Sequence, residues 1–242
     1  MITIGITAYR EGTWLQECWN SVLSQTFKDW EAILVLDGGA DVKTKTIFDS
    51  IAHPRLKKIQ MPENKGPYPC REAIFEESTY DVILYIDADD FFAPDAAAKV
   101  VDLFADPTVA YAGVGAELFW EDGTRKYIPG HPTTIEKLIR NFEFPGYLVF
   151  RKSTWINLGK YEPMLKRGKA DFDFCLKILE KNLKGKFLQD VLIYKRERNR
   201  SVCRSYNHRM GRVHEIIVSN HPLIFNDDSI RRYFLNLGYM TS

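Results

Sequence analysis

One pattern recurs four times in the first part of the chain: a short apolar segment with strand character is followed by a segment with helical periodicity. In the first of these segments, Ile2, Ile4 and Ile6 alternate with small or polar residues, which is the period of two typical of a strand. Further strands are predicted at 31–36, 56–61 and 82–86, and helices at 13–23, 41–51, 71–78 and 94–104. Strands that alternate with helices favour a sheet covered by helices. The predicted fold class is therefore α/β, with a Rossmann-like, mostly parallel sheet.

The rest of the chain is less regular but contains no obvious domain boundary. A hairpin turn is predicted at 121–124, a helix over 171–183 and a mostly helical tail over 209–237. Hydrophobic residues make up 45% of the 242 residues and charged residues 27%, a composition that supports a large core and excludes general disorder. We predict one domain over 1–242, made of a first half (1–115), a second half (116–205) and a helical C-terminal segment (206–242).

Cysteine usage and apolar runs bear on the cellular compartment. The four cysteines lie far apart and show no CxxC spacing, which is typical of reduced thiols and not of disulfides or a zinc site. The longest apolar run, 82–86, is far shorter than the roughly 20 residues that cross a bilayer. The chain starts with a strand-like segment and shows no signal peptide. We therefore expect a cytoplasmic protein.

Polar residues follow three of the four predicted strands. Residues 7–11 (TAYRE) follow the first strand, Asp37 the second, and 87–90 (DADD) the fourth. Ligands of open α/β sheets bind beyond the carboxyl ends of the strands, so these residues predict one crevice. Neither GxGxxG nor GxxxxGK[ST] is present, which excludes the two common glycine-rich phosphate loops.

Asp87 and Asp89 are one residue apart at the end of an apolar strand. Mn²⁺ and Mg²⁺ prefer oxygen ligands and commonly bridge carboxylates to phosphate oxygens, so this pair is a candidate metal site. Aspartates are also frequent in the turns that end strands, and the spacing alone leaves that structural interpretation open. The polar ends of the neighbouring strands favour the metal site.

Several blocks of the sequence resemble the family 2 glycosyltransferases, the inverting, nucleotide-sugar-dependent enzymes with the A-type glycosyltransferase fold. The blocks follow the family's order over residues 1–205, and 21–27 and 87–90 are specific in combination. They are 4–11 (IGITAYRE), 21–27 (SVLSQTF), 30–38 (WEAILVLDG), 63–66 (ENKG) with Arg71, 85–90 (YIDADD), 150–153 (FRKS), 159–162 (GKYE), 170–174 (ADFDF), and Tyr194 with 201–202 (SV).

The resemblance implies a role for each matching residue. It places Thr7, Ala8, Tyr9 and Glu11 in the nucleotide pocket, Asp37 on the edge of the base (usually uracil), and Asn64 and Arg71 beside the nucleoside. Asp87 and Ala88 would lie at the ribose and the metal's water shell, and Asp89 would bind Mn²⁺ or Mg²⁺. Asp171 would be the general base for the acceptor hydroxyl. The first half would then bind a UDP-sugar and the second half the acceptor. A single displacement inverts the anomeric carbon and needs no enzyme nucleophile.

The sequence departs from the family pattern at three positions. The family often has an acid at the position of Leu36, an asparagine at that of Glu72 and an acid at that of Ala170. Because Ala170 precedes the expected base Asp171, Asp173 is an alternative base, and the alignment of the motif favours Asp171.

The segment 195–212 is strongly basic. It holds seven Lys or Arg residues against the single acid Glu197, a formal charge of +6 in a chain whose net charge is +1. Arginine forks suit phosphate oxygens, which predicts that Arg198 and Arg200 contact the donor diphosphate. An anionic acceptor or a solvated charge run would also explain the segment.

We therefore expect a metal-assisted, inverting glycosyltransferase whose acceptor is the hydroxyl of a glycan, a lipid-linked molecule or a nucleic acid. A lipid-linked acceptor would bring the protein into peripheral contact with the inner face of the membrane. One alternative is a phosphatase of the haloacid-dehalogenase type, which also has Asp-x-Asp after an apolar strand but normally at the start of its catalytic core. A second alternative is a non-catalytic nucleotide-sugar-binding module.

Overall fold

The computed structural model describes residues 1–198, 210–228, 230, 232 and 233. Strands and helices alternate through the first half, as predicted, and the second half adds antiparallel strands and further helices. The elements are β1 (Ile2–Ala8), α1 (Trp14–Leu23), β2 (Trp30–Leu36), α2 (Val42–Ser50), β3 (Leu56–Gln60), α3 (Pro67–Glu77), β4 (Val82–Asp87), β5 (Phe91–Phe92), α4 (Ala96–Leu103), β6 (Tyr111–Phe119), β7 (Arg125–Ile128), α5 (Ile135–Asn141), β8 (Tyr147–Arg151), α6 (Lys152–Asn157), a 3₁₀ turn (Pro163–Leu165), α7 (Ala170–Glu180), β9 (Gly185–Arg196), α8 (Met210–Asn220) and α9 (Pro222–Phe225).

The strands of the described residues form one sheet in the order β3-β2-β1-β4-β8-β6-β9-β5, with β7 paired to β6. Strands β1 to β4 are parallel to one another. Beyond them, β8 is antiparallel to both β4 and β6, while β9 runs parallel to β6. The chain is thus a single α/β domain with a Rossmann-like parallel part, which confirms the predicted fold class.

Central strand β1 shows why the first half is parallel. Every residue of β1 is buried, because β2 and β4 flank it and helices cover both faces. Its isoleucines belong to one core, whereas Gly5 lies under α3, where an added Cβ would be 2.5 Å from Ile74 Cγ2. A fully buried strand of this kind is typical of parallel sheets with helices on both faces.

Two hydrophobic cores lie on the two faces of the sheet. The first includes residues of α1 and α4, among them Trp19 and Val100. The second joins α3, α6 and α7 around Phe75, whose ring stacks on Phe150 and Trp155 with centroids 5.0 Å apart in each case. Both predicted halves therefore share the second core.

The C-terminal helices also contribute to the second core. Val213 and Ile217 of α8 and Phe225 of α9 are buried there. The break between α8 and α9 falls just before Pro222, as the sequence predicted. Among the described residues, no helix combines the length and the apolar character needed to cross a membrane.

Helix α3 begins at Pro67, four residues before the predicted start. Gly66, with φ of +91°, turns the chain into the helix, and Pro67 occupies the first helical turn. A proline is tolerated there because the N–H that it lacks would have no partner within the helix. The earlier start places Tyr68 and Arg71 on the helix that borders the strand ends.

Truncation of Phe75 tests the second core. We expect Phe75→Ala to lower the free energy of unfolding by about 3–5 kcal/mol, because it removes a fully buried ring and leaves a cavity. Urea denaturation followed by circular dichroism measures the change.

Val42→Ala is the control, because Val42 is 84% exposed on α2. Its effect should stay within about 0.5 kcal/mol. An equal loss of unfolding free energy in Phe75→Ala and Val42→Ala would contradict the description of this core.

Candidate functional site

The carboxyl ends of β1, β2 and β4 meet at one edge of the sheet. Thr7 lies beside Asp87 in the register, and its hydroxyl donates to Asp87 Oδ1 at 2.7 Å. The Ala88 backbone N–H donates to the Thr7 carbonyl at 2.9 Å, and the Asp37 N–H donates to the Ala8 carbonyl at 2.7 Å. These residues of the predicted crevice are therefore neighbours in space.

Asp37 holds the loop that carries Asn64. Its buried carboxylate accepts backbone N–H groups from Gly38 at 3.0 Å, Lys65 at 2.9 Å and Gly66 at 2.9 Å. The loop approaches so closely that a Cβ on Gly38 would lie 2.2 Å from the backbone carbon of Glu63. Burial, together with the Asp37 carboxylate, also raises the pKa of the nearby Cys70 thiol, so this acid is surrounded by groups of the protein itself.

Asn64 joins this loop to the segment before α7. The Arg167 guanidinium donates to Asn64 Oδ1 at 3.3 Å and to the Asn64 carbonyl at 3.4 Å. A Cβ on Gly66 would lie 3.0 Å from the Lys166 carbonyl. The turn that leads into α7 therefore lies directly against the start of α3.

Arg71 and Asp87 form an ion pair that is largely shielded from solvent. Arg71 Nη2 donates to both carboxylate oxygens, at 3.0 and 2.9 Å, and the guanidinium lies 5.0 Å from the Tyr68 ring centroid and 5.2 Å from that of Tyr85. Burial raises the pKa of Asp87, but the charges of Arg71 and Lys195 outweigh it and lower the value to about 2. Asp87 is therefore ionised at neutral pH.

The end of β9 lies over the acidic turn. Lys195 Nζ lies 2.7 Å from Asp90 Oδ2, and the Arg196 backbone N–H donates to Asp90 Oδ1 at 2.8 Å. Arg196 Nε donates to the Asp89 carbonyl at 3.1 Å, and the Arg198 guanidinium pairs with the Asp89 carboxylate. Each acid of the turn is thus matched by a cation from elsewhere in the chain.

Arg198 therefore contacts a candidate metal ligand, a pairing that the sequence did not predict. Its guanidinium also lies 5.1 Å from the Trp14 ring centroid, so it packs against α1. Arg200, the other predicted diphosphate contact, lies outside the described residues.

Glu11 is a half-buried acid at the rim of the same crevice. Its carboxylate accepts the backbone N–H of Tyr9, a half-buried ring that the Arg10 guanidinium covers at 4.8 Å. Burial, reinforced by the carboxylates of Asp89 and Asp87, raises the pKa of Glu11 to about 7. Glu11 therefore changes its charge near neutral pH.

Asp171 is the second residue of α7 and is partly exposed. Its Oδ1 accepts the Phe172 N–H at 2.8 Å, and burial, together with the charge of Asp171, raises the pKa of Tyr68 well above the usual value. Asp171 is also among the charged groups around Tyr85, the second ring against Arg71. The predicted base thus faces the cluster that holds Asp87.

Asp173 has a different environment. Its side chain is fully buried and receives hydrogen bonds from Asn220 Nδ2 at 2.8 Å and His221 Nε2 at 3.2 Å, while Lys177 Nζ lies 3.2 Å away. These contacts join α7 to the C-terminal helices. Asp173 is therefore a structural residue and is a poor candidate for the base.

Sequence reasoning missed the roles of Tyr68 and Lys195 in this arrangement. Tyr68 lies between Gly66 and Arg71, and nothing in the spacing indicates that it lies near Asp171. Lys195 is 105 residues from its partner Asp90. Pairings across such separations depend on the sheet order.

The chain was compared with known protein families and with named relatives. Residues 3–157 match the family model described as "Glycosyl transferase family 2". An uncharacterized glycosyltransferase of Haemophilus influenzae is 26% identical over 78% of this chain and 73% of its own length. EpsE of Bacillus subtilis, also named as a glycosyltransferase, is 31% identical over 76% of this chain and 68% of its own length.

Solved structures show the same fold. The Staphylococcus aureus TarS 1–349 structure in complex with UDP-GlcNAc is similar with a TM-score of 0.72 and 16% identity, covering 94% of this chain and 67% of that one. The mannosyltransferase PcManGT of Pyrobaculum calidifontis, in complex with GDP-Man and Mn²⁺, has a TM-score of 0.63 and 19% identity, covering 93% of this chain and 64% of that one.

Replacement of Glu11 tests the electrostatics of the crevice. The raised pKa means that ionisation of Glu11 costs more free energy in the folded state than in the unfolded state. The wild-type protein therefore becomes less stable as the pH rises from 4.5 to about 7. Glu11→Gln does not ionise and keeps an acceptor for the Tyr9 N–H. Its stability relative to wild type should rise over this pH range by at most about 3 kcal/mol.

Urea unfolding at several pH values measures this difference. Glu121→Gln, on the exposed hairpin, is the control for loss of one negative charge. A stability difference for Glu11→Gln that does not change between pH 4.5 and 7 would contradict the assigned environment.

Proposed function

We propose that this chain, which belongs to glycosyl transferase family 2, transfers a sugar from a UDP-sugar to an acceptor hydroxyl with inversion at the anomeric carbon. The family and its named relatives make the chain a glycosyltransferase. One observation carries the more specific proposal: Asp171, in the first turn of α7, faces the same tyrosine–arginine cluster that holds Asp87 at the end of β4. The proposed base and the acid proposed to bind the donor would thereby lie on one crevice. The family assignment also makes the phosphatase alternative wrong.

The nucleoside would bind along the ends of β1 and β2. Thr7, Ala8, Tyr9 and Glu11 border this part of the crevice. Asp37, whose carboxylate holds the adjacent loop through three backbone N–H groups, would face the base edge. Asn64 and Arg71 lie on the two segments that close it. The nucleotide sugars bound to structural neighbours, UDP-GlcNAc and GDP-Man, support a donor of this class.

A divalent cation, Mn²⁺ or Mg²⁺, would be held by Asp89. Its carboxylate oxygens suit a hard cation, whereas Asp87 is already neutralised by Arg71. Asp89 pairs with Arg198, whose side chain is 37% exposed, so this partner is the easier one to displace. The described residues include no group of three candidate ligands, so phosphate and water oxygens would complete the shell. When bound, the cation neutralises charge on the diphosphate.

Arg198 would then move to the donor diphosphate. Its guanidinium is close to Asp89, and a phosphate offers the same kind of bidentate partner as a carboxylate. Arg200 is proposed for the same contact on the sequence alone. Arg198 would thus exchange the Asp89 carboxylate for the diphosphate of the donor.

Asp171 would act on the acceptor. It accepts the proton of the attacking hydroxyl while that oxygen bonds to the anomeric carbon. The bond from the same carbon to the diphosphate oxygen breaks, and the nucleoside diphosphate leaves with the electron pair. General-base catalysis requires that the carboxylate lie within hydrogen-bonding reach of the hydroxyl.

The acceptor would be a glycan, either free or linked to a lipid. A lipid-linked acceptor would bring the protein to the cytoplasmic face of the membrane. The exposed ring of Phe142 packs against Phe172 next to the proposed base, and Lys169 Nζ lies 4.2 Å from its centroid. These side chains offer a surface for the acceptor.

Asp171→Asn tests the base. We expect turnover to fall by about 10²- to 10⁴-fold while the affinity for UDP is unchanged, because only proton transfer is impaired. UDP release from UDP-GlcNAc, and GDP release from GDP-mannose, measure turnover, and calorimetry measures nucleotide affinity.

Asp49→Asn, an exposed acid on α2, is the matched control and should retain full turnover. Wild-type turnover in Asp171→Asn would overturn the assignment of the base. Nucleotide binding without turnover in the wild-type protein would instead favour the non-catalytic module.

A donor screen tests the nucleotide and the metal. We expect a UDP-sugar to raise the melting temperature more than dTDP- or GDP-sugars, and more with Mn²⁺ than with EDTA, because ligands that bind the folded state stabilise it. Failure of every nucleotide to bind with Mn²⁺ present would contradict the proposed function.

A further inference from the structure

We propose that Trp14 positions Arg198 for its contact with the donor diphosphate, an inference that rests on the proposed function. Trp14 is the first residue of α1, and its backbone N–H donates to the Glu11 carbonyl at 3.3 Å. The side chain is half-buried, and neither hydrophobic core of the described residues includes it. The ring therefore lies at the rim of the crevice for a reason other than packing of the core.

The Trp14 ring lies against two guanidinium groups. The guanidinium carbon of Arg196 is 4.9 Å from the ring centroid, and that of Arg198 is 5.1 Å from it. A cation within about 6 Å of an aromatic ring is attracted to its face, and tryptophan attracts cations more strongly than tyrosine or phenylalanine does. The ring thus joins α1 to the start of the basic segment.

The two arginines differ in their other contacts. Arg196 is fixed, because its Nη2 lies 2.7 Å from Oε2 of Glu17 on α1 and its Nε donates to the Asp89 carbonyl at 3.1 Å. Arg198 pairs with the Asp89 carboxylate, and its side chain is 37% exposed. If Asp89 turns to a divalent cation when the donor binds, the Trp14 ring is the contact that still holds Arg198 at the crevice.

This contact prepares Arg198 for the diphosphate. An arginine side chain has many rotamers, and fixing it at a phosphate costs conformational entropy. The Trp14 ring keeps the guanidinium beside the acidic turn in the free protein, so less of that entropy is lost on binding. Trp14 acts through Arg198 and needs no contact of its own with the donor.

Trp14→Leu removes the ring and keeps an apolar side chain that favours a helix. We expect the calorimetric Kd for UDP, with Mn²⁺ present, to rise roughly 5- to 30-fold, the range of a shielded cation–aromatic contact. The Kd for uridine, measured by titration with ligand-observed NMR, should stay within about twofold of wild type. Uridine has no phosphate for Arg198 to contact, so its binding reports on the shape of the nucleoside pocket alone.

Two further variants are the controls. Trp14→Phe keeps an aromatic face, so its Kd for UDP should lie closer to that of wild type than to that of Trp14→Leu. Tyr127→Leu removes an aromatic ring that is 48% exposed on β7 and should leave the Kd for UDP within about twofold of wild type. Melting temperatures of all three variants verify that the fold is kept.

A double-mutant cycle separates an effect through Arg198 from one through Arg196. If Trp14 acts through Arg198, Trp14→Leu should cause no further loss of UDP affinity in the Arg198→Ala background. An additive loss would overturn the inference, and so would a wild-type Kd for UDP in Trp14→Leu. A parallel loss of uridine affinity, or an equal loss of UDP affinity in Trp14→Phe, would show that the ring only supports the pocket.

Arg198→Ala alone distinguishes failure of this inference from failure of the proposed function. If Arg198→Ala weakens UDP binding and Trp14→Leu does not, the diphosphate contact stands and only the role of Trp14 is wrong. If Arg198→Ala leaves the Kd for UDP unchanged, the proposed diphosphate contact is wrong, and the role of Trp14 with it. The turnover of Asp171→Asn tests the transfer reaction separately from both.

Discussion

The ion pair between Arg71 and Asp87 is the interaction on which the rest of the site depends. A buried charge without its partner is strongly destabilising, so neither residue can be held at this place alone. The pair joins α3 to β4, and the Thr7 hydroxyl extends it to β1. Tyr68 packs on the same guanidinium, and the close approach of Gly66 to the Lys166 carbonyl ties the turn before α7 to the start of α3. The ends of two strands and the starts of two helices thus lie around one ion pair.

Charge in this protein is distributed as matched pairs, which the nearly neutral total conceals. The acidic turn after β4 would be self-repelling if it were solvated alone. Lys195 at the end of β9 and Arg198, two residues beyond it, supply the countercharges. The start of the basic segment is therefore not a solvated charge run. A nucleotide diphosphate that enters this region competes for cations that are already in place, instead of meeting an uncompensated positive surface.

The parts predicted from sequence are those that depend on local pattern. The strand period of two fixed β1, and the polar strand ends located the crevice, because parallel strands present their carboxyl ends at one edge. Strand β9 was not predicted, since its burial is uneven along its length and gives no clear period. The engagement of Asp173 by His221, 48 residues away, likewise has no signature in the spacing.

The two-residue strand β5 has a geometric consequence for the whole sheet. Phe91 follows Asp87 by four residues, and an extended chain of that length reaches at most roughly 14 Å. In the sheet order β4 and β5 are four strand spacings apart, roughly 19 Å if the sheet were flat. The sheet must therefore curl until its far edge returns to the end of β4. The acidic turn connects β4 to the far edge of the curled sheet, so the crevice depends on the curvature of the sheet as much as on the local sequence.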